Sequence, residues 1–201
     1  MGALTQEQRK ADTRARLINA AADLFARKGF HAVSAEAVAD AADRTTGALY
    51  SHFGGKDGLL LALVERWLDE SAARIAAIVE SATDLDGRLR ALWSGFIAPH
   101  EEHGDAWLLL EFELWLHAVR EPVVADRLAE RYATYRAALE APLEQWARDA
   151  GLGRLRPPER VATNVIALLL GLAMQHRIDP AAVTDDLSVD ALHSTIQGAC
   201  R

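Results

Sequence analysis

Residues 34–56, SAEAVADAADRTTGALYSHFGGK, constrain this chain more tightly than any other stretch. They read as two short helices joined by a tight polar turn. Ala35, Val38, Ala39 and Ala42 recur at helical spacing and give the first helix one apolar face. Asp43 and Arg44 break the pattern. Thr45 is then a good N-cap for a second helix through Phe53, because its hydroxyl can accept an amide of the first turn. Leu49 and Phe53, at i and i+4, anchor that helix, while Thr46, Gly47, Ala48, Ser51 and His52 face outward. A helix with so thin and polar an outer face fits deep in a groove. Helix–turn–helix units place a recognition helix in the DNA major groove in this way. Taken alone, the segment also fits a structural corner of a helical bundle.

The flanks narrow the choice. Ile18, Ala21, Ala22 and Phe25 fall at i, i+3, i+4 and i+7, Leu17 and Leu24 widen the stripe, and Gly29 supplies a C-terminal stop. Downstream, Gly54-Gly55-Lys56-Asp57-Gly58 leads into another amphipathic helix, LLLALVERWL. A lysine at a helix start opposes the macrodipole, so Lys56 predicts an anion beside it, and a DNA phosphate meets that need. The alternative is a freely solvated lysine.

With these motifs in place, the run from Thr13 to about Ser71 resembles the DNA-binding domain of TetR-type (tetracycline-repressor-like) transcriptional regulators. The carriers are "INAAADLFARKGF", "VSAEAVADAAD" and "TTGALYSHFGGKDGLL". A weaker likeness continues at "LLLEFELWLHAVREP" and "VIALLLGLAMQHRIDP". The resemblance implies an all-α chain with two parts. Residues 11–71 would form a three-helix DNA-binding domain, with the helix–turn–helix at 34–53, and 72–201 a helical effector-binding and dimerisation domain. It also implies that Thr45, Thr46, Gly47, Ala48, Ser51 and His52 meet base edges or sugar, and that Thr13, Ser34, Tyr50 and Lys56 hold phosphates. Two departures stand out. Asp43-Arg44 replaces the family's usual Gly-Val turn, with aspartate among the non-glycine residues that best tolerate the left-handed conformation. Thr46 stands where a basic residue is usual, so specificity leans on His52 and on Arg44 reaching toward the DNA.

Net charge is −7, which by itself argues against nucleic acid. Its distribution matters more. Residues 1–57 hold eight Lys/Arg against seven Asp/Glu, and the remainder fourteen against twenty-two. Local charge governs phosphate contact, so the first part is not excluded from DNA, and its few cations predict a need for dimerisation. Cys200 is the only cysteine, which rules out an intramolecular disulfide and reads as an incidental thiol. No secretory signal opens the chain, and the apolar run Val165–Met174 is too short to span a bilayer. Together these predict a cytoplasmic protein without a membrane partner.

Beyond residue 70, helical stripes follow one another with short breaks, and no strand alternation appears. From Val161 to Met174 apolar residues nearly encircle the helix. Val161, Val165, Leu168 and Leu172, with Val189, Leu192 and Ile196 of the last helix, predict a two-fold interface. Paired recognition helices roughly 34–36 Å apart would then read a palindromic operator. Trp93, Phe96, Trp107, Trp115, Tyr132 and Tyr135, with Glu111 and His117 among them, predict a pocket for a small, partly apolar effector. Aromatics at helical spacing are also ordinary core. His100 and His103 are separated by two residues in a charged corner where solvated histidines are the default, so no metal and no cofactor are expected. Neither a nucleophile elbow nor a phosphate loop is present. The reading is a ligand-responsive, homodimeric DNA-binding regulator, most simply a repressor. Its rivals are a small all-α enzyme using Glu111, Glu113 or His117, and a dimeric protein-binding module without DNA function.

Overall fold

The structure is a computed structural model, and it describes residues 5–99 and 103–200. The fold is all-α, with nine helices among the described residues. They are α1 (Gln6–Lys28), α2 (Ala35–Ala41), α3 (Thr46–Phe53), α4 (Lys56–Glu80), α5 (Leu85–Ile97), α6 (Ala106–Ala118), α7 (Pro122–Asp149), α8 (Pro158–Ile178) and α9 (Asp185–Ala199). The chain divides into two compact units, Met1–Asp69 with Pro99–Leu128, and Glu70–Ala98 with Ala129–Arg201.

Local chemistry accounts for the ends of the first unit's helices. Thr5 and Gln8 form a reciprocal capping box at the start of α1, and the Gly29 amide closes its end on the Phe25 carbonyl at 2.8 Å. Ser34 Oγ accepts the Ala37 amide to start α2. That helix ends in a Schellman arrangement. The Arg44 amide donates to the Ala39 carbonyl at 2.9 Å, and the Asp43 amide to the Asp40 carbonyl at 3.1 Å. Asp43 carries the left-handed residue of this motif, with φ 54°. Leu17, Ile18, Ala21 and Phe25 of α1, Val38 and Ala39 of α2, and Leu49 of α3 are all buried, so the apolar stripes read from the sequence form one core. Helix α6 belongs to the same unit and packs on α1.

In the second unit α5, α8 and α9 pack together. Gly95 lets α5 approach α4 closely, since a Cβ there would lie 2.7 Å from Ile75 Cγ1. Two expectations change here. Helix α8 is 21 residues long and apolar enough, by length and composition, to cross a membrane, which the shorter run Val165–Met174 had not suggested. One of its faces, however, is packed into the protomer through Val161, Val165, Leu169 and Ala173. The second correction concerns the partner surface. Val161, Val165, Val189, Leu192 and Ile196 are buried inside a single chain. These five side chains form the protomer's own core and cannot be presented to a second copy. Of the predicted set, Leu168 and Leu172 keep partial exposure.

Candidate nucleic-acid interface

Helix α3 is eight residues long and defined at both ends. Thr45 Oγ1 accepts the Ala48 amide at 3.2 Å, and Gly54, with φ 75°, returns its own amide to the Tyr50 carbonyl at 2.8 Å. Leu49 and Phe53 point inward and are buried. Thr45, Gly47, Tyr50 and Ser51 are exposed, while Thr46, Ala48 and His52 are half-buried. Tyr50 leaves 54% of its surface in water, unusual for so large a ring. A slim helix bearing short polar side chains is therefore what the first unit presents. Beside it lies an open hollow of about 480 Å³ lined by Thr13, Asp40, Asp43, Arg44, Thr45 and Ala48.

The residues assigned to phosphates are engaged differently. Ser34 Oγ accepts from Ala37, and its hydroxyl also helps hold the Glu36 carboxyl below the ordinary range, after the larger effect of Glu36's own backbone N–H. Thr13 Oγ1 accepts from Arg44 Nε at 3.2 Å. Lys56 meets its unfavourable helix start inside the protein. Its ammonium donates to the Val33 carbonyl at 2.9 Å and the Phe30 carbonyl at 3.1 Å, and lies 4.2 Å from the centre of the Phe30 ring. The positive charge of Lys56 at the helix start is thus met by two carbonyls and a ring face. Arg44, read as reaching outward, is folded back onto α1 and bonded to Asp12, Thr13 and the Asp43 carbonyl.

The effector assignments fall into separate groups. Glu111, 1% exposed, accepts the Trp115 indole N–H at 3.1 Å, one turn along α6. Trp107 is buried nearby on the same helix. At 100° per residue, Glu113 and His117 share a different face of α6 from Glu111. Glu113 Oε2 accepts the Phe30 amide at 2.8 Å, and His117 Nε2 lies 3.2 Å from Asp57 Oδ1 in the first turn of α4. Glu111, Glu113 and His117 therefore do not converge as the acid–base set of an enzyme would have to. In the second unit, Trp93 is buried and donates its indole N–H to Asp185 at 2.8 Å, securing the start of α9. Phe96 is half-buried, and Tyr132 and Tyr135 meet edge to face at 6.3 Å. His103, expected in water, is 8% exposed, packed on Trp67 and 3.1 Å from Asp23, while His100 lies outside the described residues.

Sequence reasoning missed Asp12 and Arg14, and it read Glu113 as a catalytic carboxylate of the rival enzyme rather than as the acceptor of the Phe30 amide. Arg14 is exposed on α1, and its guanidinium carbon sits 5.4 Å from the centre of the Phe53 ring, putting a cation at the foot of α3. The one available signal for Arg14 was its place on the polar side of the α1 stripe.

A capped helix of this form, set on two others by small apolar contacts, defines the class of helix–turn–helix proteins. The sequence profile of bacterial regulatory proteins of the tetR family matches residues 17–63, and that of the BetI-type transcriptional repressor C-terminal part matches residues 86–201. The chain belongs to the TetR family of bacterial transcriptional regulators. It is 30% identical over 122 residues to the regulator UidR of Escherichia coli K12, a match covering 61% of this chain and 60% of UidR. It is 29% identical over 179 residues to the activator FasR of Mycolicibacterium smegmatis, covering 89% and 78%. Among solved structures, a putative TetR-family regulator from Rhodococcus sp. superposes with a TM-score of 0.72 at 24% identity, over 95% of this chain and all of that one. A putative regulator from Saccharomonospora viridis in complex with choline gives 0.69 at 20%, over 94% and 98%.

Proposed function

We propose that this protein is a homodimeric, effector-controlled repressor that acts in the cytoplasm and binds a palindromic operator. The observation carrying the reading is α3 itself, capped at both ends and buried along only one edge. Thr45, Thr46, Gly47, Ala48, Ser51 and His52 would enter the major groove, with Tyr50, Ser34, Thr13 and Lys56 on flanking phosphates. Phosphate contacts set register, and the groove-facing side chains select sequence. With the buried faces of α8 and α9 occupied within the protomer, the partner surface is the opposite stripe. It comprises Ala167, Leu168, Gly171 and Leu172 of α8, with Leu187, Ala191 and Gly198 of α9. Gly171 and Gly198 have open space where a Cβ would project, so a second backbone can approach there.

Helix α6 is the route by which an effector changes DNA affinity. Its Trp107, Glu111 and Trp115 face supplies apolar walls and one buried carboxylate. Its Glu113 and His117 face holds the α1–α2 corner through the Phe30 amide and lies against the start of α4, where His117 approaches Asp57. A ligand that shifts α6 moves both attachments, and it must favour the non-binding arrangement by as much as it weakens DNA binding. A carboxylate among aromatics suits a cation, so choline, bound by the Saccharomonospora protein, is the first compound to try. The test of the whole reading is a gel shift with the DNA upstream of the protein's own gene. A sequence-specific shift that weakens steeply with salt is expected, and a protein that shifts no duplex would refute it.

A further inference from the structure

The turn before α3 carries an arginine whose three guanidinium nitrogens are all engaged within the protein. Arg44 Nε donates to Thr13 Oγ1 at 3.2 Å, one terminal nitrogen donates to Asp12 Oδ2 at 2.8 Å, and the other to the Asp43 carbonyl at 2.7 Å. The side chain is 23% exposed. Asp12 is itself braced by Arg16, one turn further along α1, at 3.1 Å. Three of the five N–H donors of its rigid fork, one on each nitrogen, are thus committed within the protein, so the fork's orientation is set by α1 and the turn. The atoms they hold belong to Asp12 and Thr13 of α1 and to Asp43, the residue just before Arg44 in the turn.

This placement answers a mechanical need. Helix α3 has eight residues and two buried anchors, Leu49 and Phe53, one turn apart on one edge. Anchors that lie on one line restrain a short helix least against roll about that line. A reading helix has to be held to within about half an ångström of its productive pose. A bidentate-type clamp from the preceding residue to α1 removes the roll.

We propose that Arg44 is a positioning residue: it fixes the roll of α3 against α1 through Asp12, and it touches neither base nor phosphate. Because its Nε–H takes an acceptor lone pair of Thr13, the Thr13 hydroxyl keeps its own proton to donate. The inference rests on the DNA-binding reading above and names a determinant of it.

Charge gives the test its sign. Removing the carboxylate of Asp12 lowers negative charge near the DNA, which by long-range attraction alone would tighten binding. The clamp predicts the opposite. The full-length protein would be titrated against duplex selected by the wild type from a random pool, at several salt concentrations. Asp12→Asn and Arg44→Met are each expected to weaken binding about tenfold, a change of the size that one charged hydrogen bond supplies. The double variant should be no weaker than the worse single one, and the salt slope should match the wild type. The charge-reversed pair Asp12→Arg with Arg44→Asp should bind more tightly than either reversal alone, which separates lost positioning from lost folding. The proposal is overturned if Arg44→Met lowers the salt slope by about 0.9, the signature of one lost phosphate, while Asp12→Asn binds as well as or better than the wild type. Relaxed preference at a single base pair in Arg44→Met alone would overturn it equally. A wild-type protein that selects no duplex removes the DNA reading before any variant is made, and that failure is visible separately.

Discussion

The Glu113 carboxylate accepts the backbone N–H of Phe30 at 2.8 Å, joining residues 83 positions apart in the chain. Lys56 takes the carbonyl of the same residue, so both backbone polar groups of Phe30 are satisfied by side chains from α6 and α4. Phe30 is itself 1% exposed, so its backbone groups depend largely on these side-chain partners. Glu113→Ala should cost about 1–3 kcal/mol, the range for a buried group stripped of its partner. For a chain of this size that lowers the melting temperature by roughly 2–4 °C per kcal/mol. Glu113→Gln keeps an acceptor oxygen and should lose less. Thermal unfolding followed by circular dichroism measures both. An effector that weakens DNA binding in the wild type should do so less in Glu113→Ala, because one of its two attachments is gone.

Lys56 has two structural acceptors and one remaining N–H, which the proposed phosphate contact would use. Replacement by Met therefore has two separable effects. Stability should fall by about 1.5–3 kcal/mol, the range for hydrogen bonds to a charged group. The slope of log affinity against log salt should become shallower by about 0.9 if that N–H holds a phosphate. Melting curves read the first effect and salt titrations of operator binding the second. A lower melting temperature with an unchanged slope would confine Lys56 to the corner.

Helix α3 was legible because its determinants are local. Thr45, Leu49, Phe53 and Gly54 lie within ten positions, and each acts on its immediate neighbours. The Asp43 conformation was legible for the same reason. What the sequence could not supply was the identity of partners far along the chain. Nothing in the spacing of Glu113 points to Phe30, and nothing at Arg44 points to Asp12 rather than to DNA. Lys56 was read as needing an anion beside it, and the structure sets two carbonyls and a ring face there, partners that nothing in its local spacing indicates. On α8, periodicity showed two apolar faces but not which one the protomer keeps for itself. Val165 and Leu168 are equally apolar, and only packing against α9 and α5 decides that Val165 turns inward.

Asp43 holds a positive φ that costs an L-residue roughly 1 kcal/mol relative to glycine. Its carboxylate contributes little in return, since the approach to Arg44 is 4.0 Å and the aspartate side chain is 96% exposed. Asp43→Gly should therefore leave stability unchanged or raise the melting temperature by a few degrees. Asp43→Val, β-branched in a left-handed position, should lower it by a comparable or larger amount. A destabilised glycine variant would mean that the carboxylate has a structural partner in the folded protein.

The revised partner surface makes a prediction that distinguishes it from the surface first read in the sequence. Gly171 has nothing within 4 Å of its would-be Cβ, so the protomer itself can accept a long side chain there. Gly171→Arg also removes a helix-interior glycine, which favours α8 by up to about 1 kcal/mol. If the Gly171 stripe meets a second copy, that arginine forces the helices apart and leaves an unpaired charge in the interface. The expected outcome is a monomer with undiminished helix content, seen by sedimentation velocity with circular dichroism. Leu192→Ala, on the face the first reading gave to the partner, should behave in the opposite way. Leu192 is fully buried within one chain, so its truncation should cost about 2–5 kcal/mol of protomer stability. At temperatures where the variant stays folded, it should sediment as the wild type does. A Gly171→Arg protein that remains dimeric would place the interface elsewhere on the surface.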